Sequence, residues 1–105
     1  MPSDKIDFGR FSEPALLILV SLASESKHGY AIMEDIKALT GTKLGPGTLY
    51  GAISRLEQHG FIEALASENR RRPYRITTDG TAFLREQLRS LDKFVQVGIQ
   101  RLGAI

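Results

Sequence analysis

With 105 residues, the chain has room for one domain of ordinary size and none for a second. Hydrophobic residues make up 42% and charged residues 25%, the balance of a folding globular chain, which argues against a disordered tail or a membrane protein. Cysteine is absent and the net charge is only +2, so disulfide frameworks, thiolate zinc sites and thiol catalysis are excluded, and total charge alone names no partner.

In chain order, residues 1–10 form an N-terminal arm with no basic segment leading into an apolar one, so no secretory leader is expected. Phe11 to Glu25 is apolar nearly all round, with Ser12 as N-cap and Pro14 in the first turn. A helix without a polar face is buried on more than one side. Its longest apolar run, Ala15 to Val20, is too short to span a bilayer. Lys27-His28-Gly29 breaks this helix, and a second from about Tyr30 to Leu39 carries Ile32, Ile36 and Leu39 on one stripe. After a turn at residues 40–45, a third helix opens at Pro46. It points Leu49, Ile53 and Leu56 inward and ends at Gly60. The period then changes: Phe61 to Ala66 and Pro73 to Thr77 read as two strands joined by a polar loop with a basic tip. Beyond Thr78, taken as N-cap, the chain is helical to about Leu102, with Leu84, Leu88, Leu91, Val95 and Leu102 on one stripe. That helix is about 37 Å long.

The expected fold is therefore mainly α with a small β-hairpin: a winged helix-turn-helix over residues 11–77, followed by a long C-terminal dimerisation helix over residues 78–105. The closing stripe, with the excess apolar face of the first helix, has no partner left within the chain, and a second copy is the simplest cover. Phe11, Leu16, Leu19, Leu84, Leu88, Leu91, Phe94, Val95 and Leu102 are the residues expected at that interface.

The charge is unevenly placed. Between Gly41 and Arg75, six basic residues face three acidic ones, a surplus of +3 that marks a polyanion partner. With its apolar stripe inward, the third helix presents Gly47, Thr48, Tyr50, Gly51, Ser54 and Arg55 outward. Small residues next to Pro46 let the helix N-terminus approach a phosphate, and the hydroxyls can donate to phosphates or base edges, so this face suits the major groove of double-stranded DNA. Asn69 and Arg70-Arg71-Arg72 at the hairpin tip can lie along the minor groove or its flanking phosphates. Lys43 in the preceding turn and Arg75 on the returning strand complete the basic set. Gly45 and Gly47 also serve simply as turn residues, and a solvated basic loop is common.

An enzyme is not expected. The chain has no phosphate-binding glycine loop with a following lysine, no His-Glu-x-x-His pair and no other metal-ligand spacing. His28 and His59 each stand alone beside a glycine at a helix boundary, where a capping or exposed histidine is the ordinary role. Glu34 and Asp35 are adjacent on a helix and do not face one another.

The run Gly47-Thr48-Leu49-Tyr50, followed by Arg55-Leu56-Glu57, Gly60-Phe61-Ile62 and Arg72-Pro73-Tyr74-Arg75-Ile76-Thr77 before Gly80, resembles the PadR family of bacterial and archaeal transcriptional regulators. His28-Gly29-Tyr30 is similar to that family's pattern as well, and the resemblance spans about residues 12–90. The short closing region resembles the branch of the family with a single C-terminal helix. One departure is visible: Gly51 stands where proline commonly follows the Thr-Leu-Tyr tripeptide, which makes the helix more flexible there.

The resemblance implies a homodimeric repressor that binds an inverted-repeat operator and leaves it when a small effector binds. It also implies that Tyr30, Thr48 and Tyr50 face DNA. Some relatives hold planar aromatic or drug-like molecules between the closing helices and the first helix; here that region corresponds to Phe8, Phe11, Ala15, Phe94 and Val97. Dimer core is the simpler reading of the same residues, and the chain has no tryptophan to stack on a flat ligand. Two alternatives stand beside the regulator: a winged helix used only for protein contacts, and a ligand sensor whose DNA output is secondary.

Overall fold

The computed structural model describes residues 13–67 and 69–103. Four helices and three short strands follow one another: α1 (Pro14–Ser24), β1 (Lys27–His28), α2 (Gly29–Thr40), α3 (Pro46–Gln58), β2 (Ile62–Ala64), β3 (Pro73–Ile76) and α4 (Thr78–Arg101). The expected mainly α fold with a hairpin and a long closing helix is present, with one strand more than expected. Lys27 and His28, expected only to break the chain, pair antiparallel with Tyr74 and Pro73, so the hairpin becomes a three-stranded sheet of order β1-β3-β2. Two residues have no periodicity to read, and their strand exists only because β3 lies beside them.

The boundaries follow from local chemistry. Pro14 occupies the first turn of α1, as its missing N–H allows, but the residue before it, Glu13, makes no side-chain cap. Ser12, the expected cap, lies outside the described residues. His28 caps α2 by accepting from the Ala31 N–H at 3.3 Å, and Gly41, at φ 77°, closes that helix in the left-handed conformation. The cap of α4 is Thr77, one residue earlier than expected: its Oγ1 accepts from the Gly80 N–H at 3.0 Å and donates to the Gly60 carbonyl at 2.6 Å. One hydroxyl thus ties the end of α3 to the start of α4.

The core gathers around α1. Ile18, Leu19 and Leu22 meet Ile32 and Ile36 of α2, Leu49, Ile53 and Leu56 of α3, Ile62, Tyr74 and Leu84. α1 contacts α2, α3, β3 and α4, which is why its sequence has no polar face. Its one buried polar side chain, Ser21, donates to Asp35 Oδ2 at 2.7 Å, while its carbonyl accepts from Lys27 Nζ at 2.5 Å. Leu39, expected on the core stripe of α2, is instead 60% exposed, in the last turn of the helix. α4 is buried only at its base, at Gly80 and Leu84. Its 24 residues extend about 36 Å, and the molecule measures 54 × 35 × 20 Å.

Candidate nucleic-acid interface

The outer face of α3 is built by the burial of its inner one. Leu49, Ala52, Ile53 and Leu56 are at most 3% exposed. At 3.6 residues per turn this leaves Gly47, Thr48, Tyr50, Ser54 and Arg55 in solvent, with Gly51 half-buried between them. Pro46 at the first helical position and Lys43 in the preceding turn are exposed on the same approach. A Cβ built on Gly51 would meet only the Arg55 guanidinium, at 3.8 Å, so no packing forces a glycine there.

Tyr50 ties α3 to the start of α2. Its ring lies against Gly29 so closely that a Cβ there would come within 2.2 Å of Tyr50 Oη. The glycine of His28-Gly29-Tyr30 therefore leaves room for the Tyr50 ring between the two helices of the helix-turn-helix. Tyr30, the next residue, is 60% exposed.

The loop between β2 and β3 turns through Asn69 and Arg70, both with positive φ, at 50° and 67°. Asn69, Arg70, Arg71 and Arg72 are all exposed. Two of the arginines expected to act alike do not. Arg71 Nη1 lies 3.2 Å from His28 Nε2, which sets the loop beside the start of α2. Arg75 points along the sheet and donates twice to Glu63 Oε2, at 2.9 and 2.5 Å. Its charge is neutralised across the strand pair, which makes Arg75 the weakest member of the expected DNA-facing set. Ile76 packs partly against the core and Tyr74 is buried, so these two residues form the inward side of β3.

Burial divides the residues expected to bury a second copy. Leu19 and Leu84 are 0% and 5% exposed within the protomer's own core, which makes them unavailable to a partner. Their apolar periodicity is satisfied inside the chain. Leu88, Phe94, Val95 and Leu102 are exposed along α4, Leu16 and Leu91 are half-buried, and Phe11 lies outside the described residues.

Between α1, the end of α3 and α4 runs an open groove of about 730 Å³. Its floor is an aromatic stack that pattern reading misses, because the members come from separate elements. His59 lies on Phe61 with ring centroids 5.6 Å apart, and Phe61 on Phe83 at 4.4 Å. Of the residues expected near an effector, Ala15 lines this groove, Phe94 and Val97 stand exposed on α4 away from it, and Phe8 and Phe11 lie outside the described residues.

Among the described residues no helix is long and apolar enough to cross a membrane, and no group of three or more His, Cys, Asp or Glu side chains could hold a metal ion.

Comparison with known proteins agrees with this geometry. The model of the transcriptional regulator PadR-like family matches residues 18–86, more than half of the chain. The chain is 36% identical over 84 residues to the transcriptional regulator Rv3488 of Mycobacterium tuberculosis, covering 77% of this chain and 78% of that one. It is 38% identical over 82 residues to a 37.1 kDa protein in a transposon of Streptomyces fradiae, covering 78% of this chain but 24% of that one, so it spans about a quarter of that relative. Among solved structures, it is similar to a PadR family transcription regulator from Clostridium difficile, with TM-score 0.78 and 26% identity over 88% of this chain and 100% of that one. A transcriptional regulator from Clostridium thermocellum superposes with TM-score 0.73 and 29% identity, covering 82% and 89%.

Proposed function

Because the chain belongs to the PadR-like family of transcriptional regulators, we propose that it is a homodimeric repressor of an inverted-repeat operator that a small effector releases. The observation that carries this reading is the division of α3 into a fully buried face and a face of small and hydroxyl-bearing residues, flanked by the arginine-bearing loop. In this reading residues 11–77 bind DNA and residues 78–105 make the dimer. Thr48, Tyr50, Ser54 and Arg55 enter a major groove, with Tyr30 and Lys43 at its edge, and Arg70 to Arg72 lie on the flanking phosphates. The exposed side chains of α4, from Leu88 to Leu102, bury against a second copy. Two-fold symmetry then sets the half-sites roughly one helical turn apart, about 34 Å.

The groove beside α1 and α4 supports the effector part of the reading. Its stacked His59, Phe61 and Phe83 suit a flat aromatic molecule, and Leu16 and Leu91 supply apolar walls. It touches both α3, through Arg55 and Leu56, and α4, through Gln87 and Leu91, so an occupant would contact the DNA-reading and the dimerising elements together.

The test is a fluorescence anisotropy titration against the duplex upstream of the protein's own gene, with a scrambled duplex as control, at two salt concentrations. Strong preference for the upstream duplex, steep salt dependence and two protomers per site are expected. Equal weak binding to both duplexes would reject the reading and favour a protein-contact module.

A further inference from the structure

A shallow cleft between the start of α2 and the loop before β3 is lined by Ser26, Lys27, His28, Asn69, Arg71 and Pro73. Its corner holds an unresolved account of hydrogen-bond donors. His28 Nδ1 accepts from the Ala31 N–H, so a neutral ring carries its proton on Nε2. That nitrogen lies 3.2 Å from Arg71 Nη1, which can only donate. Two N–H groups therefore meet at one point with no acceptor between them. The other tautomer lets Nε2 accept from Arg71 but turns an N–H toward Ala31, which removes the cap of α2. A protonated ring donates from both nitrogens. Whichever ring nitrogens carry protons, this corner has at least two donors more than it has acceptors.

The surroundings favour an anion as the missing acceptor. Among the described residues no carboxylate lines the cleft. The Lys27 ammonium is turned away from it, donating to the Ser21 carbonyl and to Ser24 Oγ and lying 3.9 Å from Asp35. The free N–H groups at the start of the twelve-residue α2 open beside the histidine, adding the positive end of the helix. Gly29, the next residue, is the one on which Tyr50 of α3 rests. The corner thus lies between the outer face of α3 and the basic loop, within the surface described above.

We propose that His28 Nε2 and Arg71 Nη1 together grip one backbone phosphate of the bound duplex, which fixes the height of α3 in its groove. This rests on the DNA-binding reading and deepens it by pairing a particular histidine with a particular arginine at a single phosphate. Phosphate contacts of this kind set orientation and register and carry no sequence information directly.

The test is a double-variant cycle on the full chain, read by anisotropy with the upstream duplex. His28→Ser keeps a hydroxyl able to cap α2 while deleting the Nε2 donor, so its thermal midpoint should stay close to that of the wild type. Its DNA affinity should fall about fivefold, as should that of Arg71→Ala, and the double variant should fall little further, because both side chains serve one phosphate. A methylphosphonate scan of the duplex should find one position whose neutralisation weakens the wild type but not the double variant. Losses that multiply independently, or the absence of any such position, would overturn the proposal. So would a wild type that binds the duplex while both single variants bind equally well, an outcome that leaves the proposed function standing; a wild type that binds no duplex rejects both. A final arm follows the His28 ring nitrogens by NMR. A shift on adding duplex supports the assignment, and a shift with inorganic phosphate alone, unmoved by duplex, overturns DNA as the source of the phosphate.

Discussion

Gly29 and Gly80 each lie in the first turn of a helix, and each is pressed by a neighbour, yet the two contacts have opposite consequences. At Gly80 an added Cβ would come within 2.0 Å of the Phe61 carbonyl oxygen and 3.0 Å of Ile76. Backbone cannot step aside, so Gly80→Ala should destabilise the fold by about 2 to 3 kcal/mol in urea unfolding. At Gly29 the obstacle is the far end of the Tyr50 side chain, which can swing into solvent. Gly29→Ala should therefore remain within about 1 kcal/mol of the wild type in stability, while weakening duplex binding by displacing Tyr50. Tyr74 adds a dependence on pH. Burial, then the Glu57 carboxylate and the Tyr50 phenol, raise its pKa above the ordinary 10.0, with Arg72 opposing. The folded chain favours the neutral phenol, so its contribution to stability is complete below pH 10 and is lost as pH rises through the raised value. Unfolding midpoints measured from pH 8 to 11 should fall more steeply for the wild type than for Tyr74→Phe.

At the scale of elements, what could be read in the sequence was what a single element determines. The all-apolar pattern of α1, the stripe of α3 and the proline and glycine at the ends of α3 are properties of one helix and its solvent, and the helices formed where those signals stand. β1, the Tyr50–Gly29 contact, the aromatic stack and the His28–Arg71 pair join residues far apart in the chain, and no periodicity encodes them. The same limit explains Leu19 and Leu84. An apolar position says that a side chain is covered, and the contacts within the fold decide by which surface. α4 shows the division most plainly, since Leu84 is covered by its own chain while Phe94 and Leu102 are 69% and 75% exposed. If that exposed stripe is the dimer seam, Phe94→Glu should convert a sedimenting dimer to a monomer at micromolar concentration while leaving the helical circular dichroism of the folded domain in place. A variant that remains dimeric would move the interface elsewhere.

At the scale of the whole molecule, the residues proposed to face DNA should separate into two groups by what they change. Arg71→Ala should weaken binding to all duplexes alike and reduce the slope of log affinity against log salt by about 1. Thr48→Ala and Ser54→Ala, which carry no charge, should leave that slope unchanged and narrow the preference for the upstream duplex over the scrambled one. The reversed pattern would mean that α3 and the loop exchange the roles assigned to them. The pairing of Lys27 with Tyr74 has one more consequence, for the order in which the protein comes into being. The helix-turn-helix is complete in sequence by Gln58, but the strand that holds β1 in the sheet is not made until Pro73 to Ile76 have been added. A chain emerging from the ribosome therefore carries α3 well before the strand that pairs with Lys27 and His28. A fragment ending before Pro73 should therefore fail to bind the upstream duplex in the same anisotropy titration.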